Sequence, residues 1–286
     1  MKVFLTGATG ILGTAILGEL EDNNCEVIGF SSKDIKLANY SEVIKKVTDF
    51  NPDVVIHSAA MTNVDRCEEN KSEALSTNVI GSKNVSTAAL RVGAKIVYIS
   101  SCGVYGNGKS EPYTELDLPN PVNYHHYTKL EGERCVKEHN PNFLVIRPGW
   151  LFGGSTLHAK NFVEARRREI LSSSNIIKSA VDKSGSPTYT LDLARQILSL
   201  LNNDIIGTFN VVNEGCASRF DYVYEIVKLF GFDIKVEPVS SDQFLRRASM
   251  PDNECLANMF LNLHQLNLMR PWREALKSYI SANYYI

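Results

Sequence analysis

Val3-Phe-Leu-Thr-Gly-Ala-Thr-Gly-Ile-Leu-Gly13 is an apolar run that enters a glycine-punctuated turn and leaves it as an apolar helix. A chain with that order of properties builds a phosphate cradle. Gly7 permits the sharp strand-to-helix turn, Gly10 lets the backbone approach a pyrophosphate, and Gly13 lets the helix lie close to the strand. The new helix N-terminus then offers unpaired N–H groups to the anion. The spacing is Gly-x-x-Gly-x-x-Gly, which differs from the Gly-x-Gly-x-x-Gly dinucleotide fingerprint. Gly7, Thr9, Gly10, Ile11, Leu12 and Gly13 are the expected cofactor contacts of this turn.

Outward from that turn, 286 residues with 44% hydrophobic content can bury a full α/β core and a smaller second domain. Lys and Arg total 30 against 32 Asp and Glu, and no basic run tracks a phosphate backbone, so nucleic acid is excluded as an expected partner. The apolar run at the start is too short for a signal peptide, and no stretch approaches the ~20 apolar residues of a membrane span. The expectation is a cytoplasmic protein. The six cysteines are scattered without a Cys-x-x-Cys pair. That pattern predicts reduced, mostly buried thiols, and neither a metal site nor a disulfide framework.

Strand-like runs at Val3–Leu5, Val27–Phe30, Val54–His57, Ile96–Ser100 and Leu144–Arg147 alternate with amphipathic segments. Alternation of this kind predicts an α/β fold, a Rossmann-like doubly wound parallel sheet with helices on both faces. The predicted division is a dinucleotide-binding domain over 1–150, its sheet completed by parts of 159–212, interleaved with a smaller α/β substrate-binding domain over 151–286. Gly207–Val212 reads as one more sheet strand and Phe220–Phe230 as a helix opening the smaller domain. At the end of the second strand, Ser31 and Ser32 stand where a ribose-binding acid would be, with Lys33 beside them. A 2′-phosphate is not repelled there, so NADP(H) is favoured over NAD(H).

Ser100-Ser-Cys-Gly-Val-Tyr-Gly106 resembles the Ser-Ser-x-x-Val-Tyr-Gly of extended short-chain dehydrogenase/reductases. Asn51-Pro-Asp through Ala59-Ala-Met-Thr-Asn-Val-Asp65 is similar to a segment of one branch, the dTDP-4-dehydrorhamnose reductase family. Arg147-x-x-Trp150, Asn161-Phe162 and Asp182-x-x-Gly-x-Pro-Thr188 extend that resemblance over essentially the whole chain. It implies a reductase of a 4-keto nucleotide-linked deoxysugar, and a nucleotide sugar and possible homodimer as partners. By the same resemblance, Ala59 and Ala60 line the cofactor and Ser101 binds the reacting carbonyl oxygen. Thr62, Ser101, Cys102, Tyr105, Trp150 and Asn161 are the implied substrate residues. Asn78 matches an asparagine beside the active site; inside a helix it also calls for a specific hydrogen-bonding job.

The superfamily's catalytic helix carries Tyr-x-x-x-Lys, four residues apart and so on one helical face. Here the lysine is Lys129, but the residue four before it is His125, with Tyr124 and Tyr127 off that face. Three readings follow. His125 supplies the proton, since imidazole titrates near ~6.5; or Tyr124 or Tyr127 swings in because the helix begins late; or the chain is a non-catalytic nucleotide or nucleotide-sugar binding subunit. The first gives Ser101, His125 and Lys129 as catalytic residues, with Lys129 also holding the nicotinamide ribose. Relatives also carry Ala-x-Arg-Pro-x-x-Ser, whose arginine faces the substrate; here Met250 and Glu254 replace the arginine and the serine. Arg246 and Arg247 lie nearby as possible compensation. An Asp-aliphatic pair of the adenine end becomes Lys36-Leu37, or Asp34-Ile35 in another register.

Overall fold

The computed structural model describes residues 1–173 and 175–284. Each predicted strand of the first half is present: β1 (Lys2–Thr6), β2 (Glu26–Phe30), β3 (Val54–His57), β4 (Lys95–Ile99) and β5 (Phe143–Arg147). The chain then makes β6 (Trp150–Phe152), β7 (Ile176–Ala180), β8 (Ser184–Gly185) and β9 (Pro187–Tyr189) before returning as β10 (Gly207–Asn210). Three short strands follow, β11 (Ala217–Ser218), β12 (Lys235–Val239) and β13 (Asn253–Glu254). Six of these form one sheet in the order β2-β1-β3-β4-β5-β10, every neighbouring pair parallel. This is the expected doubly wound sheet. The order runs outward in both directions from β1 and β3, so the crevice between their carboxyl ends is the place for a ligand.

The helices between the strands are α1 (Ile11–Asp22), α2 (Tyr40–Phe50), α3 (Val64–Glu69), α4 (Lys71–Leu75), α5 (Gly81–Arg91) and α6 (Tyr124–His139). In the second half come α7 (Phe162–Ser172), α8 (Thr190–Asn202), α9 (Arg219–Phe230), α10 (Met259–Leu263) and α11 (Trp272–Asn283). Both faces of a parallel sheet are covered, so alternate residues of each strand belong to different cores. Val3, Leu5, Ile56, Val97 and Leu144 pack on one side with Leu12, Ile16, Leu193 and Ile197 of α1 and α8. Phe4, Val55, Ile96 and Val145 pack on the other with Val43, Val47, Val85 and Val136 of α2, α5 and α6. A third core, with Phe152, Tyr189, Tyr222, Trp272 and Tyr279, holds the smaller lobe together. Its aromatic rings meet both edge to face, as Tyr222 and Trp272 at 5.8 Å, and stacked, as Phe152 and Tyr189 at 5.4 Å.

One cysteine expectation needs correction. Cys216 and Cys255 are joined as a disulfide with Cα atoms 5.7 Å apart, and Cys25, Cys67, Cys102 and Cys135 are free. The sequence spacing hides this pair because β11 and β13 flank the same strand, β8, and only that pairing brings the two residues together. Among the described residues no cluster of potential metal ligands occurs, and no helix is long and apolar enough to cross a membrane.

One buried ion pair positions α6. The Arg147 guanidinium, at the end of β5, donates from Nε and Nη2 to the two carboxylate oxygens of Glu133 at 2.9 and 2.7 Å. Ser100 donates to the same carboxylate, and Tyr105 accepts from Arg147 Nη1 at 2.9 Å. Burial alone would raise the Glu133 pKa, but Arg147 overrides it and holds the carboxyl below its usual range. Removing one partner leaves an uncompensated charge in the core. Arg147→Met is therefore expected to lower unfolding free energy by about 3–5 kcal/mol in urea titration, more than truncating an exposed pair such as Lys45–Asp49.

Candidate active site

The three glycines of the opening turn have different tasks. Gly7 has φ +75°, and its N–H and that of Ala8 donate to the Phe30 carbonyl, which ties the turn to the end of β2. A Cβ at Gly7 would lie 2.7 Å from the Ala59 nitrogen, and one at Gly13 would overlap the Gly7 carbonyl oxygen. A Cβ at Gly10 would meet only that oxygen, at 3.4 Å, so this residue leaves open space. Helix α1 begins with no side chain capping Gly10 and no acid in its first turn. Its first N–H groups are thus left without a capping side chain or a neighbouring acid, as an anion-binding helix N-terminus requires.

This turn forms one wall of a cavity of about 790 Å³. Of the residues expected to hold the cofactor, Gly7, Thr9, Gly10, Ile11, Leu12, Gly13, Ser31, Ser32, Leu37, Ala59, Ala60 and Lys129 line it. Lys33 does not. The cation at that end is Lys36, whose Nζ donates to the Ser32 carbonyl at 3.0 Å. Ile35, Lys36 and Leu37 all line this end of the cavity, so both candidate pairs contribute an aliphatic side chain to it. Asp34 is turned onto Ser31, accepting from its N–H at 2.8 Å and from its hydroxyl, and those bonds hold its carboxyl below the usual range.

The catalytic trio expected from the sequence comes together: Ser101, His125 and Lys129 all line the cavity. Asn123 caps α6 by accepting from the His126 N–H, so the helix is regular from Tyr124 onward and the late-start reading fails. The Tyr124 ring lies 5.6 Å from that of Tyr127, tilted against it, and faces Lys71, while Tyr127 is exposed. Neither tyrosine lines the cavity. His125 takes the lysine face instead, as helical spacing requires.

Two groups face the inner nitrogen of His125, the Met61 carbonyl and the Cys67 thiol, whose sulfur lies 3.9 Å from Nδ1. His125 Nδ1 lies 3.1 Å from the Met61 oxygen, which also accepts from Asn78 Nδ2 at 3.1 Å and from the Cys67 thiol. Asn78 in turn accepts from the Met61 N–H at 2.8 Å and donates to Thr128 Oγ1 at 2.9 Å. It sits in a π-helical turn, Ser76–Ile80, between α4 and α5, which re-aims its side chain toward the site. Behind it, His57 bridges Thr6 at 2.7 Å and Ser82 at 3.1 Å; burial drops its pKa to about 3, so it is a neutral strut. Burial also pushes His125 well below its ordinary pKa, with His126 and Lys129 acting in the same direction. At pH 7 the ring is neutral, with its Nδ1 proton on Met61 and a lone pair on Nε2.

Lys129 is buried and lowered to about 7 by desolvation, against the opposing pull of Glu133. Its Nζ stands 4.1 Å from the Tyr98 ring centroid and has no hydrogen-bond acceptor among the described residues. A cation without an acceptor at the cavity wall, together with the open glycine cradle, fits a dinucleotide whose ribose hydroxyls would accept from it. Sequence reading missed Lys160, which also lines the cavity and donates to Thr62 Oγ1. No local pattern marks it, because the loop before α7 meets Thr62 only in the folded chain.

The substrate side departs from expectation. Thr62 and Ser101 line the cavity, but Cys102, Tyr105, Trp150 and Asn161 do not. Tyr105 is spent on Asn210 and Arg147, and Asn161 caps α7 and donates to Tyr279. Cys102 and Trp150 both donate to Glu254, at 3.5 and 2.8 Å. Asn63 caps α3, and Asp65 accepts from the N–H groups of Arg247 and Ala248. Arg247 is engaged by Glu69 at 2.7 Å, whereas Arg246 is exposed.

Residues 1–285 match the family described as RmlD substrate binding domain. Among solved structures, the chain is similar to a dTDP-4-dehydrorhamnose reductase ortholog from Clostridium acetobutylicum, at 39% identity and TM-score 0.94 over 99% of each chain. It is similar to dTDP-4-dehydrorhamnose reductase from Bacillus anthracis in complex with NADP, at 33% identity and TM-score 0.94 over 99% of each chain. The dTDP-4-dehydrorhamnose reductase of Mycolicibacterium smegmatis is 31% identical, over 98% of this chain and 85% of that protein.

With its pKa lowered to about 7, the Lys129 amine takes up a proton when a ligand accepts a hydrogen bond from its charged form. NADPH affinity measured by calorimetry should therefore fall as pH rises from 6.5 to 8.5, with net proton uptake on binding. Lys129→Met should weaken binding at low pH and abolish most of that slope.

Proposed function

The chain belongs to the RmlD substrate binding domain family, and from that premise we propose an NAD(P)-dependent reductase of a 4-keto nucleotide-linked deoxysugar. The observation that carries this is the convergence of Ser101, His125 and Lys129 on the cavity that begins at the glycine turn. When bound, the reduced nicotinamide supplies the hydride. The open cradle at Gly10 and the α1 N-terminus bind the cofactor's diphosphate, and Lys129 donates to its ribose. NADP(H) is the preferred form in this reading, with Lys36 as the cation for a 2′-phosphate and Asp34 withdrawn onto Ser31.

Ser101 donates a hydrogen bond to the substrate carbonyl oxygen and so favours charge developing there. His125 supplies the proton from Nε2. Because Nδ1 is committed to Met61, that step needs the doubly protonated ring, and Met61 is the one contact that favours it. The hydrogen-bonded chain from Asn78 through Met61 keeps the imidazole aimed at the oxygen. The neutral ring is also the observation behind a second reading, a binding subunit without turnover. In that case reduced cofactor and nucleotide sugars raise thermal stability but no cofactor is consumed.

The pH profile separates the two. With the imidazolium as acid, kcat/KM for reduction should rise about tenfold for each pH unit lowered from 8 toward the depressed pKa. His125→Ala should slow turnover by about 10²-fold or more. His125→Tyr, a phenol that keeps its proton up to about 10, should flatten the profile and raise activity at pH 8. Wild-type protein that binds NADPH yet oxidises none with any 4-keto sugar nucleotide, while His125→Tyr does, would identify the binding subunit.

A further inference from the structure

The smaller lobe holds a cation that the reaction above leaves unused. Arg219 opens α9 directly after the capping box made by Ser218 and Asp221. Its guanidinium carbon lies 3.4 Å from the Trp150 ring centroid and 5.4 Å from that of Phe162. Among the described residues it makes no ion pair and no hydrogen bond. Glu254, the acid whose charge it feels most, is already engaged by Trp150 Nε1 and the Cys102 thiol. Burial depresses the Arg219 pKa to about 10, Glu254 only partly offsets this, and the nearby charge of Arg246 depresses it further.

A planar fork held flat on an indole has lost much of its side-chain freedom in advance, and all five of its N–H donors are unused. Like charges at Arg219 and Arg246 without a committed counter-ion are unfavourable in the free protein, and an arriving anion relieves them. The side chain is half-buried and its nitrogens are not among the sealed, unpartnered atoms, so solvent reaches it. Its neighbours stand next in sequence to residues of the cavity wall. Cys102 follows Ser101, and Trp150 follows Pro148 and Gly149 of the cavity wall. The glycine turn, which serves the cofactor's phosphates, lies on the other lobe.

We propose that Arg219, stacked on Trp150, is the anion anchor of the substrate, its fork taking two oxygens of one acidic group while Arg246 offsets remaining charge. This rests on the reductase reading, and the group is a phosphate of the sugar nucleotide or a carboxylate on its sugar. It makes Arg219 a specificity-determining residue in the smaller lobe.

The test uses full-length protein, with Arg219→Gln, Arg219→Lys and Arg246→Gln. Charged hydrogen bonds of this kind predict that Arg219→Gln raises KM for a 4-keto sugar nucleotide roughly 10- to 100-fold, with kcat and NADPH affinity little changed. Arg219→Lys should recover part of the loss, because it keeps the charge but not the fork, and Arg246→Gln should show a smaller, salt-dependent effect. Calorimetric titration with a nucleoside diphosphate and, separately, with a hexuronic acid identifies the group: whichever ligand weakens in Arg219→Gln names the source. These binding arms do not need turnover, so a wild type that oxidises no NADPH overturns the reductase reading while Arg219 is still assessed. Unchanged KM and unchanged binding of both anions in folded Arg219→Gln would overturn the proposal. So would a loss confined to melting temperature.

Discussion

No side chain fits between α1 and the turn that precedes it, because a Cβ at Gly13 would overlap the Gly7 carbonyl and one at Gly7 would collide with Ala59. That steric constraint sets the distance from α1 to β1 and β3, and with it the place where the first free N–H groups of the helix point. The Phe30 carbonyl completes the arrangement by accepting from Gly7 and Ala8, so the ends of three adjacent strands are tied to one loop. The cavity exists because the backbone itself is that closely packed.

A second layer of control lies in α6. The Glu133–Arg147 pair fastens the helix to β5, while Asn123 fixes its first turn. Between these anchors the helix presents His125 and Lys129 to the same wall, both desolvated and both with depressed basicity. The Met61 carbonyl unites the layer, since Asn78, Cys67 and His125 all converge on it. Electrostatics there is poised for a ligand: the buried lysine amine and the neutral imidazole gain protons more readily once negative charge or hydrogen-bond acceptors enter the cavity.

The smaller lobe approaches that centre through buried polar groups. Glu254 joins Trp150 to Cys102, one residue from Ser101, and is adjacent to the disulfide between Cys255 and Cys216. His126 packs against Gly103, on the other side of the same turn, with its Nε2 3.9 Å from Glu254. This lobe is thus mechanically joined to the serine loop, and differences in its side chains bear directly on what can stand in front of Ser101.

The sequence by itself determined the sheet, the glycine turn and the face shared by positions 125 and 129. Each depends on local periodicity or spacing along one element, and strand alternation and helical pitch are the same wherever the element is placed. It also carried much of the cavity wall, because those residues sit at strand ends whose positions the fold prescribes. Only the tertiary structure decided that Lys36 and not Lys33 reaches the cavity, that Lys160 meets Thr62, and that Trp150 and Cys102 are engaged by Glu254. It alone paired Cys216 with Cys255 and left Arg219 on Trp150 with no protein acceptor. Those facts join residues far apart in the chain through side-chain direction and loop path, which no short-range pattern encodes.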